Sequence, residues 1–432
     1  MLLAILVVLL LFFSLMGMEV AWSIGIASLA YVVLSQFGDY PIRFVLISHK
    51  MVDGIDAFAY LAIPLFIFAG DMMNAAGITQ RLIRVAAAAV GHLYGGLANV
   101  GVVANSIMSG ISGSAIADAA ATGTVLLPEM KKRGFPPDFS SAVIACSATV
   151  GPIIPPSIIM VVLGALMEIS VGKLFLGGVV PGTIMLIAMF ILTWWICRRR
   201  NYPREPRASF REQRIALWDG ALSVFAPVVI IGVLVLGIAT PTEAAAVAVA
   251  YTVFLGFFVY RSLTVQHVFR AAGRTAIASA VIMLTVSTSG VFADISVQER
   301  LGELLSGAML AISGNVYVLL AITNVVLLVL GTFMEVLPIM LILAPILFPL
   351  FGGLGIDPVH LGLIFVLNLT LGMITPPVGL NLFVISAIGG VDSLSRHPGR
   401  RADPDHLCAA ADDVFAQPSD TNQVMQRERK TP

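Results

Sequence analysis

Apolar residues along this chain do not alternate with polar ones; they come in runs. The runs lie near 1–16, 20–37, 57–74, 93–109, 114–130, 138–168, 174–197, 221–238, 243–260, 275–293, 301–313, 316–334, 335–351 and 358–389. A helix that crosses a bilayer needs roughly 20 apolar residues, so the longer runs predict transmembrane helices. Several runs are shorter than a span or are interrupted by Gly and Pro, which predicts breaks and turns at membrane depth. The first two runs lack a basic leader and a small-residue cleavage site, and read as retained spans. The expected fold class is an all-α polytopic membrane protein.

Composition narrows the function classes. Of 432 residues, 58% are hydrophobic and 12% charged, and the mean hydropathy is +0.95. A soluble domain carries about 25% charged residues, so this chain has too little polar material to cover itself in water. Its formal net charge is zero, which gives nucleic acid no electrostatic foothold. Cys146, Cys197 and Cys408 fit neither a metal cluster nor a disulfide framework. The phosphate-binding GxxxxGK[ST] loop, HExxH, CxxC and the GxSxG nucleophile elbow do not occur. An intramembrane enzyme would need a nucleophile–base pair or metal ligands, and the chain is not expected to be an enzyme.

A basic stretch, RRRNYPREPRASFREQR at 198–214, carries seven Arg and sits near mid-chain. The positive-inside rule makes it a cytoplasmic linker between two halves. At a constant offset of 221 residues, Gly110, Pro128, Gly134, Pro137, Thr149, Gly151, Pro155 and Pro156 meet identical residues in the second half. Eight ungapped identities predict an internal repeat, with halves at 1–197 and 215–390. The loop at 131–137 is basic, whereas its counterpart at 352–358 has no Lys or Arg. The two loops are therefore expected on opposite membrane faces, which makes the repeat inverted.

Each half predicts a re-entrant hairpin, at about 93–131 and 316–350, and a broken helix, at about 138–168 and 358–389. Proline has no N–H and clashes with the preceding turn, so the pairs Pro155–Pro156 and Pro376–Pro377 break helices. A break in hydrocarbon survives only where protein, water or an ion satisfies the freed carbonyls. Carbonyls with Ser or Thr hydroxyls suit a hard monovalent cation, and the half-helix after each break directs its N-terminal dipole at an anion. The hairpin tips fall at Ser109–Ser114 and Gly331–Glu335. The candidate substrate-binding residues are Ser109, Gly113, Ser157, Glu335 and Asn381. Glu335 suits a substrate, cation, proton or purely structural role. Asp118 either faces the hairpin interior or is structural. Glu19 and Glu243 fit helix starts, and Asp71 and Asp294 fit the interface. Asn105, Asn324, Asn368 and Asn381 either bind ligand or cross-link helices.

At these segments the sequence resembles the large membrane subunit of tripartite ATP-independent periplasmic (TRAP) transporters, the DctM-like family. The resemblance rests on SGISGSAIADAAATGTVLLPEM at 109–130, GFPPDFSSAV at 134–143 and TVGPIIPPSIIMVVLG at 149–164. The second half adds GTFMEVLPIMLILAPILFP at 331–349, GIDPVHLGLI at 355–364 and GMITPPVGLNLFV at 372–384. The resemblance implies a multi-pass carrier of the bacterial inner membrane with elevator-type movement of a domain holding both hairpins. It implies sodium as the coupling ion, no organic cofactor, and an organic-acid substrate such as a C4-dicarboxylate or keto acid. It also implies two partners, a small four-helix membrane subunit and a periplasmic substrate-binding protein. Sodium-binding positions carried over by motif are Ser112, Ser114, Gly151 and Ile154, then Gly331, Thr332, Gly372, Met373 and Thr375. The alternative is a binding-protein-independent elevator carrier or anion exchanger coupled to protons or sodium.

After residue 390 the character changes. The last 42 residues carry 13 charged ones and four Pro, where repeat logic expects a further span matching Leu174–Cys197. The expectation is a lesion such as a frameshift near Val391–Asp392 that removes a final helix; the alternative is a genuine disordered tail.

Overall fold

The computed structural model describes residues 2–37, 42–235, 237–376 and 378–389. Pro377 and the atypical tail lie outside the described residues. Among the described residues there are eighteen α-helices and no strand. The first ten are α1 Leu2–Leu15, α2 Val20–Ser35, α3 Phe44–Asp53, α4 Ala62–Ala75, α5 Ile78–Val90, α6 Gly96–Ser112, α7 Ala115–Lys132, α8 Pro137–Ala148, α9 Ile158–Leu166 and α10 Val171–Arg199. The rest are α11 Phe210–Val235, α12 Pro241–Phe254, α13 Val265–Gln298, α14 Leu301–Ile312, α15 Val316–Gly331, α16 Val336–Gly353, α17 Pro358–Gly372 and α18 Leu380–Gly389. Six helical stretches are long and apolar enough to cross a bilayer, or seven if α14 and α15, bent by 118°, form one broken span.

The apolar runs coincide with helices, and two helices lie outside the runs. In α5, Ile78, Leu82, Ile83, Val85 and Ala86 are buried while Gln80 and Arg84 are exposed. One face is apolar, so the period is 3.6 and no unbroken run forms. Helix α3 has no buried residue, and Ser48, His49, Lys50 and Asp53 interrupt its apolar positions, so it forms no unbroken run either. The basic linker is also shorter than expected, because Phe210 to Arg214 already belong to α11.

The longest helix, α13, packs against α2, α3, α4 and α16. Two ion pairs fix it: Arg274 to Asp71 of α4 at 3.5 Å and Asp294 to Lys50 of α3 at 3.1 Å. Arg274 and Asp294 are about 30 Å apart at 1.5 Å per residue, close to the thickness of a bilayer core. That spacing matches two charged pairs at opposite faces of a bilayer, where charge is solvated.

The two parts of the chain interlock. Helix α9 packs against α16 and α17, and α18 packs against α7 and α8. The short second half of each broken helix thus lies on the other part of the chain. Their shared apolar core holds Met160 and Leu163 of α9, Phe175 of α10, Phe351 of α16 and Phe365 of α17. Burial sorts the long helices: 72% of the apolar window of α16 is buried, against 22% for α10. Helix α10 turns Ile184, Ile187, Ile191 and Leu192 outward, as a lipid-facing helix must.

Candidate functional site

The first tip is made by two residues. Gly113 ends α6 at φ +63, a left-handed conformation that side chains resist. Ser114 is extended and caps α7, its Oγ accepting the Ala117 N–H at 3.4 Å. The tip is seated on the first break. A β-carbon built on Gly113 would come within 2.6 Å of the Pro156 carbonyl oxygen and 3.1 Å of Ser157 Cα, so only glycine lets the backbones approach this closely.

The first break runs from the end of α8 to Ser157, where the Oγ accepts the Met160 N–H at 3.3 Å and α9 begins. The Pro155–Pro156 peptide is cis. Among the described residues, the carbonyls of Gly151, Ile154, Pro155 and Pro156 accept no hydrogen bond. The Ile154 side chain packs toward α10, since a β-carbon on Gly182 would meet its Cγ1 at 2.8 Å. What Ile154 offers to a ligand is its carbonyl.

Asp118, one turn into α7, is fully buried. Its Oδ1 accepts the Ser112 hydroxyl at 2.5 Å, and Ser112 Oγ in turn accepts the Ser114 N–H at 3.3 Å. A β-carbon on Gly151 would lie 2.8 Å from Asp118 Oδ2 and 3.4 Å from the Ser114 carbonyl carbon. Ser112, Ser114, Gly151 and Asp118 therefore meet at one point. Ser109 does not join them: it is buried, and its hydroxyl donates back to the Ser106 carbonyl at 2.7 Å.

The second tip joins α15 to α16 through Thr332, Phe333 and Met334, with Glu335 at the N-cap position of α16. It too sits on a break, in backbone contact. A β-carbon on Gly372 would come within 2.6 Å of Gly331 Cα. The oxygens here are engaged by the chain itself. The Thr332 carbonyl accepts the Gly379 N–H at 3.1 Å, and the Met373 carbonyl accepts the Asn381 N–H at 3.0 Å. Thr332 and Thr375 hydroxyls donate to the Val329 and Leu371 carbonyls at 2.7 and 2.8 Å. Glu335 is exposed and makes no side-chain cap bond. Pro376 follows Thr375 in the break, and its partner Pro377 is outside the described residues.

Asn381 is fully buried, and its Nδ2 donates to the Ala145 carbonyl of α8 at 2.7 Å. It joins α18 to α8 across the two parts of the chain. Asn105 donates to Ser147 Oγ at 2.6 Å, and Asn368 to Asn324 Oδ1 at 2.5 Å. All four asparagines thus cross-link helices. Glu243 closes a capping box with Thr240, taking the Thr240 N–H at 2.7 Å. Glu19 occupies the N-cap position of α2 without a side-chain cap bond.

Sequence reasoning left the role of Asp118 open, and the structure puts it inside the first cluster. The available signal was its place four residues past Ser114 on an otherwise small-residue helix face.

Comparison with known proteins reaches the same segments. The family described as "Tripartite ATP-independent periplasmic transporter, DctM component" matches residues 6–401. The chain is 41% identical to the sialic acid TRAP transporter large permease protein SiaM of Vibrio cholerae, over 87% of each chain. It is 39% identical to the C4-dicarboxylate TRAP transporter large permease protein DctM of Rhodobacter capsulatus, over 86% of this chain and 87% of that one. It is 36% identical to the 2,3-diketo-L-gulonate TRAP transporter large permease protein YiaN of Escherichia coli, with the same coverage.

Proposed function

The chain belongs to the family of DctM components of tripartite ATP-independent periplasmic transporters, and on that premise we propose that it is a sodium-coupled large permease that imports an organic acid. The observation that carries this reading is the seating of each helix tip on a broken helix, Gly113 on Pro156 and Ser157, and Gly331 on Gly372. A tip pressed on a break gathers hydroxyls and freed carbonyls within protein, where a dehydrated cation can coordinate the oxygens that lack a hydrogen-bond donor. The first cation position is Ser112, Ser114, Gly151 and Ile154; the second is Gly331, Thr332, Gly372, Met373 and Thr375. The substrate sits between them, near Gly113, Ser157 and the N-terminus of α9, where a carboxylate meets a helix dipole.

Three relatives are named for sialic acid, a C4-dicarboxylate and 2,3-diketo-L-gulonate. All are carboxylates, which supports a carboxylate as cargo here. The offset identities and the interlocked α9 and α18 support an inverted repeat whose tips and breaks move together as one elevator body in the bacterial inner membrane. A small membrane subunit and a periplasmic binding protein complete the transporter.

Uptake into proteoliposomes tests this. The chain is reconstituted with the small subunit and binding protein of its own source, and labelled sialic acid and C4-dicarboxylate are offered separately. The expected result is uptake that needs an inward sodium gradient and all three proteins. Uptake indifferent to sodium would sink the coupling, and uptake without the binding protein would sink the tripartite assembly. Binding is read separately by thermal stability in detergent, exchanging potassium for sodium at constant ionic strength. A ligand of the folded state adds about 2.7 kcal/mol at a hundredfold excess over Kd. A sodium-specific rise weakened by Ser114→Ala or Thr375→Ala is expected.

A further inference from the structure

The densest positive charge of the chain is not neutralised by its own acids. The segment at 198–214 holds seven Arg against two Glu. Both acids are engaged elsewhere: Arg133 takes Glu205 at 2.8 Å, and Glu212 accepts the Ser209 N–H at 2.7 Å. All seven Arg are exposed, and none of the ion pairs among the described residues involves them. The basic loop at 131–133 differs, since Lys132 and Arg133 both pair with Glu129. Aromatic rings orient the linker guanidiniums instead. Arg198 lies over Trp194 at 5.2 Å, Arg199 over Trp195 at 4.6 Å and Arg204 over Tyr94 at 3.5 Å. A ring takes the face of a guanidinium and leaves its in-plane N–H donors free for an oxyanion. These charges also end two exposed apolar stripes, since side chains three or four apart share a helix face. On α10, Arg199 follows Ile184, Ile191 and Trp195; on α11, Arg214 precedes Trp218, Leu222 and Phe225. Stripes of this kind face hydrocarbon, so each Arg stands where acyl chains give way to headgroups.

We propose that the linker and the two helix ends it joins form a docking surface for anionic phospholipid headgroups. The guanidinium edges hold the phosphates, Trp195 and Trp218 lie at the glycerol level, and the stripes beyond them take the acyl chains. A lipid fits this surface where a free phosphate does not, because one molecule then meets both the charges and the apolar faces beside them. An anionic leaflet carries its charge at the depth where these Arg stand. The surface joins α10, which packs on α6, α9 and α17, to α11, which packs on α5 and α12. Anionic lipid thereby holds both ends of the linker to one membrane face.

The test reads which lipid gathers at the linker. Three of the four Trp stand at its two ends, so Trp22→Phe leaves Trp194, Trp195 and Trp218 as the fluorophores. The full chain is reconstituted into phosphatidylcholine vesicles in which brominated phosphatidylglycerol or brominated phosphatidylcholine replaces a fixed share of the lipid. Phosphatidylglycerol is expected to associate about fivefold or more above phosphatidylcholine, read from quenching. That preference is expected to shrink in concentrated salt, which screens exposed charge. In the triple variant Arg199→Gln, Arg211→Gln, Arg214→Gln it is expected to fall to within about twofold. In the double variant Lys131→Gln, Lys132→Gln, which alters the neighbouring basic loop, it is expected to persist. Equal quenching by the two lipids in the Trp22→Phe chain overturns the proposal. A preference that survives the triple variant, or is lost as fully in the Lys variant, overturns it too. So does reversal by millimolar inorganic phosphate at constant ionic strength, which marks a site for the free ion. If the triple variant yields no folded protein, Arg207→Gln and Arg211→Gln are combined instead. A reduced preference is expected there, and an unchanged one overturns the proposal.

Discussion

The first and second tip–break pairs are built on one frame and furnished differently. In both, glycine lets a helix tip press on a proline-broken helix. At the first pair the Gly151, Ile154, Pro155 and Pro156 carbonyls accept no bonds among the described residues, and the buried Asp118 carboxylate faces Gly151. At the second pair the contact is backbone on backbone, and the chain's own N–H groups hold the Thr332 and Met373 carbonyls. The frame is a matter of sterics, so the same Gly and Pro recur at one offset. The chemistry is a matter of side chains, and those have diverged.

The comparison breaks most readily at the glycine of each break that faces the tip. In Gly372→Ala the new methyl would meet Gly331 Cα at 2.6 Å, and backbone cannot step aside. Overpacking of this kind costs about 1–3 kcal/mol or more, and a markedly lower melting temperature or failure to elute as a single folded species is expected. In Gly151→Ala the methyl meets the Asp118 Oδ2 at 2.8 Å, a side-chain atom that can shift. That variant is expected to fold and to lose sodium response. Equal stability losses in the two variants would erase the contrast between a steric second site and a chemical first site.

A smaller effect is expected where the two parts of the chain are tied. Asn381→Ala removes the bond to the Ala145 carbonyl and leaves that acceptor buried. The cost is about 1–3 kcal/mol, read as a lower melting temperature with the helix content unchanged. Asn105→Ala, which cuts a bond within the first part, gives the matched control. A larger loss of transport than of stability in Asn381→Ala alone would mark this tie as part of the moving body.

Much of this frame was legible from sequence. Paired prolines in apolar runs located both breaks, and Ser-Gly-Ser between two short apolar arms located the first tip, because these residues act locally. Helices α3 and α5 were not legible as apolar runs, because polar and charged residues stand between the apolar ones, in α5 because only one face is buried. The role of Asp118 was not legible either, since it depends on which face of α7 turns toward Gly151. Asn381 reads equally as ligand or cross-link until α8 is seen beside it. What the sequence withholds is the tertiary neighbour.

The finest test of the comparison uses a site that belongs to neither pair. Thr240 and Glu243 form a capping box at the exposed start of α12, with the Thr240 Oγ1 accepting the Glu243 N–H at 3.3 Å. Thr240→Ala removes a cap worth about 1 kcal/mol, similar to what Ser114→Ala removes at the start of α7. The two variants should therefore lower the melting temperature to a similar degree without sodium. They should part when sodium is added. Thr240→Ala keeps the wild-type sodium midpoint, because its cap touches no residue of either tip, while Ser114→Ala shifts it. If Thr240→Ala moves the midpoint as far, sodium acts on the chain at large, and the assignment of cations to the tips fails along with the distinction between the two pairs.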